Sequence, residues 1–100
     1  MGANDSGPLL KRALEIREKE LGPDHPDTAQ SLNNLAMFHV IMVEYKTAEE
    51  LFLRALEIYE KTPGSPGTVT TLDNLAQLYT VMHKGSKSKE MADRAADLRP

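Results

Sequence analysis

Apolar positions along this chain recur at steps of three and four. In residues 28–44 (TAQSLNNLAMFHVIMVE), Leu32, Leu35, Ala36, His39 and Val43 fall on one stripe of a helix with 3.6 residues per turn. In residues 47–61 (TAEELFLRALEIYEK), Ala48, Leu51, Phe52, Ala55, Leu56 and Tyr59 do the same. Neither half contains Gly or Pro. Thr47 followed by Glu50 has the spacing of a capping box, so the spacing predicts a helix start at Thr47. Residues 28–61 therefore predict two amphipathic helices joined by a short turn, and the rest of the chain is a partial copy of them.

The copying is visible by self-comparison. Residues 9–19 (LLKRALEIREK) match residues 51–61 (LFLRALEIYEK) at 8 of 11 positions, at an offset of 42. Residues 31–42 (SLNNLAMFHVIM) match residues 71–82 (TLDNLAQLYTVM) at 5 of 12, at an offset of 40. The elements that follow are a helix over 8–21, one ending near Val43, one from Thr47 to Lys61, one over 68–83 and one over 86–98. Gly22-Pro23 ends the first. Asp24 or Asp27 is the expected cap of the second, with Pro26 in its first turn. TPGSPG at 62–67 is the strongest breaker cluster and is two residues shorter than the ELGPDHPD connector that it replaces.

These repeats resemble the tetratricopeptide repeat, in the version of about 42 residues found in kinesin light chains. The carriers are LLKRALEIREKELGPDHPDTAQSLNNLA in the first copy and LFLRALEIYEK with TLDNLAQLY in the second. The resemblance implies an all-α fold: a short α-solenoid of antiparallel helix pairs, in the helix order B, A, B, A, B. The domain would cover 8–98, with a half repeat at 8–21, a central repeat at 24–61 and a C-terminal repeat at 66–98. Residues 1–7 (MGANDSG) read as a disordered leader, and the bare myristoylation pattern at Gly2 and the sequon at Asn4 as chance matches. The small residues of the family pattern fall on Ala36, Ala48 and Ala55, and in the last repeat on Ala76, Ser88 and Ala95. His39 stands where the family carries tyrosine, and Tyr79 keeps it.

Composition narrows the function. The chain has 100 residues, 40% of them apolar, a net charge of −3 and no cysteine. That suits one small folded domain without disulfides or thiol chemistry. It offers no basic field for nucleic acid or anionic membrane. No apolar run approaches a membrane span, and the cytoplasm is the expected compartment. Asp24-His25-Pro26-Asp27 contains metal-ligand types but lacks a third and fourth ligand of suitable spacing, and it reads as a connector. The same His-Pro-Asp tripeptide occurs in J-domain cochaperones. Glu49 and Glu50 are expected on solvated faces. No nucleophile–base pair or phosphate loop stands out, so neither an enzyme nor a cofactor is expected.

Two roles remain. The resemblance implies that the A helices line a concave groove that binds a protein or peptide segment. Helical geometry puts Gln30, Asn33, Asn34, Met37 and Ile41 on that arc of the first A helix, and Thr70, Asp73, Asn74, Gln77 and Val81 on that of the second. Asn34 and Asn74 are equivalent, and an amide there can pair with a peptide backbone. No basic clamp for a carboxylate is present, since Asn33 and Asp73 hold its position. The alternative is self-association as a homodimer. Leu10, Ala13 and Leu14 would present an apolar face on a B helix without its A partner. Val43, where the family has Gly, would lose the helix stop and let two helices fuse for a domain swap.

Overall fold

In the computed structural model, which describes residues 6–100, the chain forms five α-helices: α1 Ser6–Leu21, α2 Pro26–Ile41, α3 Tyr45–Glu60, α4 Pro66–Val81 and α5 Gly85–Leu98. Most of the leader expected at 1–7, with both of its motif matches, lies outside the described residues. Ser6 and Gly7 already belong to α1. No strand is present among the described residues. Helices α2 and α3 form one hairpin and α4 and α5 the next, with α1 packed on α2. The expected order of helices is the observed one.

Local sequence sets each boundary, though not always by the expected residue. At α2 the cap is His25, not Asp24 or Asp27: its Nδ1 accepts from the Asp27 N–H at 3.0 Å. Pro26 supplies no N–H, so the first donor in need of a partner is that of Asp27, and the His25 ring reaches it. Junction 65–67 repeats the arrangement, with Ser65 Oγ accepting from the Gly67 N–H at 3.3 Å. Helix α3 starts at Tyr45, two residues before Thr47, and Glu44 precedes it without a side-chain cap. Thr47 thus lies inside the helix, and its capping box does not form.

The turn after α2 corrects a further expectation. Val43 does not lose the helix stop; it adopts the left-handed backbone itself, at φ 61°. The Val43 N–H reaches Val40 C=O at 3.0 Å, and the Glu44 N–H reaches His39 C=O at 2.8 Å. This is a Schellman closure, with a valine where glycine is usual. His83 (φ 59°) and Lys84 close α4 in the same way. A left-handed backbone costs a non-glycine residue about 1–2 kcal/mol. Glycine adds about 0.5–1 kcal/mol of unfolded-state entropy. Val43→Gly should therefore stabilise the closed chain by roughly 0.5–1 kcal/mol, read as a higher urea midpoint with an unchanged slope.

Two apolar clusters run through the stack. The first joins Leu14 of α1 to Ala29, Leu32 and Leu35 of α2 and to Ala55, Ile58 and Tyr59 of α3. The second joins Ala36, Ala48, Phe52 and Leu56 to Leu72, Leu75, Leu78 and Tyr79 of α4 and to Met91 and Ala95 of α5. Ala36, Ala48, Ala55 and Ala95 are completely buried, at the small positions where the helices approach closely. Leu14 is buried too and Leu10 packs against the first cluster, so neither presents the free face expected of it. Of that trio only Ala13 is exposed. The open apolar face of α1 belongs to Leu9 and Ile16 instead. Consecutive B helices are linked by equivalent ion pairs, Arg54 with Glu18 and Arg94 with Glu60.

Candidate functional site: the groove between the second and fourth helices

Helix α2 buries Leu32, Leu35 and Ala36 and turns Gln30, Asn34, Met37 and Ile41 to solvent. Helix α4 buries Thr71, Leu72 and Leu75 and exposes Thr70, Gln77 and Val81. The two helices lie side by side and enclose a cleft of about 470 Å3. Gln30, Asn33, Asn34, Met37, Thr70 and Asn74 line it, so six of the ten expected groove residues come together. Ile41, Gln77 and Val81 lie outside the cleft. Asp73 faces another cavity and pairs with Arg99.

Asn33 has a structural bond. Its Nδ2 donates to Thr71 Oγ1 at 2.9 Å, tying α2 to α4 beneath the cleft. Thr71 Oγ1 in turn donates to Gly67 C=O at 2.8 Å. Asn33 Oδ1 is buried without a protein partner. The amide free to meet a ligand on α2 is therefore that of Asn34, which is exposed. Its equivalent Asn74 is half-buried on the opposite wall.

Residues not anticipated complete the cleft. Pro26, Asp27, Ser65, Pro66 and Gly67 form one end, and Tyr59 of α3 forms part of its floor. The Tyr59 ring lies against the start of α4 so closely that a Cβ on Gly67 would stand 2.2 Å from its Cζ. Burial pushes the Tyr59 hydroxyl above its ordinary pKa; the Asn33 amide and the Arg17 charge oppose that shift, and Asp27 adds to it. At the offset of 42, Tyr59 corresponds to Arg17. Arg17 does for α1 what Tyr59 does for α3: its Nη1 donates to Asp27 C=O (2.9 Å), Gln30 Oε1 (3.0 Å) and Ser31 Oγ (3.1 Å) at the start of the next helix. The RALEI-x-EK alignment holds the one signal that pointed here, since the position that differs between its copies is the one contacting the following A helix.

A second cavity, of about 870 Å3, opens beside the end of α5, between the 63–66 connector, Val69, Asp73, Arg94 and Leu98. One repeat earlier the equivalent space is filled by the start of α4, which seats Gly67 on Tyr59 and Thr71 on Asn33. At the offset of 40, Tyr59 and Asn33 become Arg99 and Asp73, which pair with each other.

Away from the groove, one carboxylate contradicts expectation. Glu50 is exposed, but Glu49 is only 5% exposed between α3 and α4. The Tyr79 hydroxyl donates to Glu49 Oε2 at 2.8 Å, and Lys46 Nζ approaches Oε1 at 3.7 Å. Burial, and then the Glu49 carboxylate, push the Tyr79 hydroxyl far above its ordinary pKa. His39, the counterpart of Tyr79, is half-buried and bonds through Nδ1 to Glu44 Oε1 at 2.8 Å. Among the described residues no three His, Asp or Glu side chains gather as a metal site would require, and no helix is long and apolar enough to cross a membrane.

Comparison with known proteins agrees with this architecture. The sequence pattern of the tetratricopeptide repeat matches residues 3–61 and again 32–100. Nephrocystin-3 from Homo sapiens is 50% identical over 46 residues, as is that from Xenopus tropicalis. The match covers 46% of this chain and 4% of those proteins, so the chain corresponds to a small part of their length. Among solved structures, BtubC (BKLC) from P. vanneervenii superposes with a TM-score of 0.89 over 97% of this chain and 39% of its own. At 24% identity that likeness speaks to the fold alone.

Proposed function

The chain belongs to the tetratricopeptide repeat family, whose members mediate protein–protein interaction, and from that premise we propose that it binds a short segment of a partner protein in the cleft between α2 and α4. The observation that carries this reading is the pairing of Asn34 and Asn74 across one cleft at equivalent repeat positions. An amide donates and accepts at once, so two such groups can hold an extended backbone from both sides. Met37 adds a polarisable apolar contact at the rim. Two A helices make a short site, so affinity is modest and the ligand is a few residues long.

The test is a selection from a randomised displayed peptide library, followed by titration of an enriched peptide. Each backbone hydrogen bond is worth about 1 kcal/mol. Asn34→Ala with Asn74→Ala should thus weaken binding by roughly 30-fold, since each 1.4 kcal/mol is tenfold. Unchanged affinity in a variant with the parent circular dichroism spectrum would remove the cleft from consideration.

Self-association is a second reading, favoured by a specific feature: the strained Val43 turn carries two exposed apolar side chains, Ile41 at 65% and Val43 at 66%.

A further inference from the structure

We infer that two copies of this chain exchange α3–α5 through the Val43 turn, each completing the other's stack. This rests on the self-association reading and names its hinge and its product. Four junctions separate the five helices. The first contains Gly22-Pro23, the third is TPGSPG, and the fourth is followed at once by Gly85. The second, Met42-Val43-Glu44, has neither Gly nor Pro, and none occurs from Asp27 to Glu60. The chain from Pro26 to Glu60 can therefore run as one helix of 35 residues, about 52 Å long at 1.5 Å per residue.

The closed turn is held in balance by opposing terms. Against it stands Val43, a β-branched residue in the left-handed region, which becomes an ordinary helical residue when the turn opens. For it stand the Schellman bonds and the His39–Glu44 contact, which joins residues five apart and is lost in a continuous helix. The contacts of α2 with α3 and α4 are the same whether made within one chain or between two. The occupant is therefore a second copy, because α3 and α4, the elements that leave α2 when the hinge opens, carry the surfaces that complete its two clusters. In the exchanged dimer the two open hinges cross on the twofold axis. Ile41 and Val43, exposed in the closed chain, are then available to each other from the two copies.

The test begins by refolding the chain from denaturant at millimolar concentration and separating monomer from dimer by size. The sequence has no cysteine, so Glu18→Cys with Arg54→Cys places a unique thiol pair on either side of the hinge, at an existing ion pair. A short bismaleimide should then yield covalent dimers from the dimer fraction on a denaturing gel. Val43→Gly relieves strain in the closed chain and disfavours the continuous helix, about tenfold per chain. Two chains make that roughly a hundredfold loss in the dimerisation constant. Glu44→Ala removes a closed-turn contact and should shift the equilibrium the other way. A dimer that gives only intramolecular crosslinks overturns the exchange and leaves self-association standing. The absence of any dimer, in a chain with an intact helical spectrum, overturns both.

Discussion

Gly67→Ala should lower the stability of this chain by about 3 kcal/mol, at the upper end of the roughly 1–3 kcal/mol that overpacking costs. The added methyl would lie 2.2, 2.3 and 2.6 Å from three atoms of the Tyr59 ring. Tyr59 cannot step aside, because it is 7% exposed and packs within the cluster formed by α1, α2 and α3. Helix α4 must therefore shift, which stretches the Asn33–Thr71 bond and widens the cleft. At about 4–8 °C per kcal/mol for a domain of this size, the melting temperature should fall by some 12–24 °C. Gly7 provides the contrast. A methyl there meets the far end of the half-buried Phe38 ring at 2.8 Å, where some movement remains, so Gly7→Ala should cost less. Equal, small losses at both glycines would contradict this packing.

Tyr79→Phe should cost about 2–3 kcal/mol, since it removes a hydrogen bond to a buried carboxylate and gives Glu49 no replacement donor. Its pH dependence has a definite sign. The folded Tyr79 holds its proton far more tightly than the unfolded side chain at its ordinary 10.0. Above that pH the native state binds more protons than the unfolded one, so stability falls as pH rises. The contribution is complete below about pH 10 and is lost progressively above it. Tyr59, raised in the same direction by burial, adds to the alkaline loss. The parent should lose stability steeply above pH 10 and Tyr79→Phe less so, which narrows their difference. Urea denaturation at pH 7.5 and at alkaline pH measures both. Parallel curves would show that Tyr79 does not carry the effect.

The helix pairs were legible because periodicity and internal repetition agree. RALEI recurs along the B helices and NLA along the A helices, with Leu14, Leu35, Ala36, Ala55, Leu56 and Leu75 of these motifs buried. The turns were harder to read. Propensity excludes valine from a left-handed stop, yet the packing of α3 on α2 holds Val43 there. The cap of α2 departs from sequence expectation for a related reason. Pro26 moves the needy N–H to Asp27, which brings the His25 ring rather than an aspartate into range. Within the cleft, one-helix geometry found Gln30, Asn34, Met37 and Thr70. It placed Asn33 beside them without the neighbouring α4, whose Thr71 takes that amide as a strut. Glu49 was expected in water for the same reason, since only the stacking of α4 brings the Tyr79 hydroxyl over it. Asp27, Tyr59 and Gly67 belong to the cleft through contacts between repeats, which a single helical wheel does not contain.

The most direct test of the groove is a backbone amide NMR titration with a library-selected peptide. The expected shifts fall on Gln30, Asn34, Met37, Thr70 and Asn74, with α1, α3 and α5 unperturbed apart from Tyr59 at the floor. Shifts concentrated on the exposed faces of α1, α3 and α5 would contradict it and place recognition on the convex side.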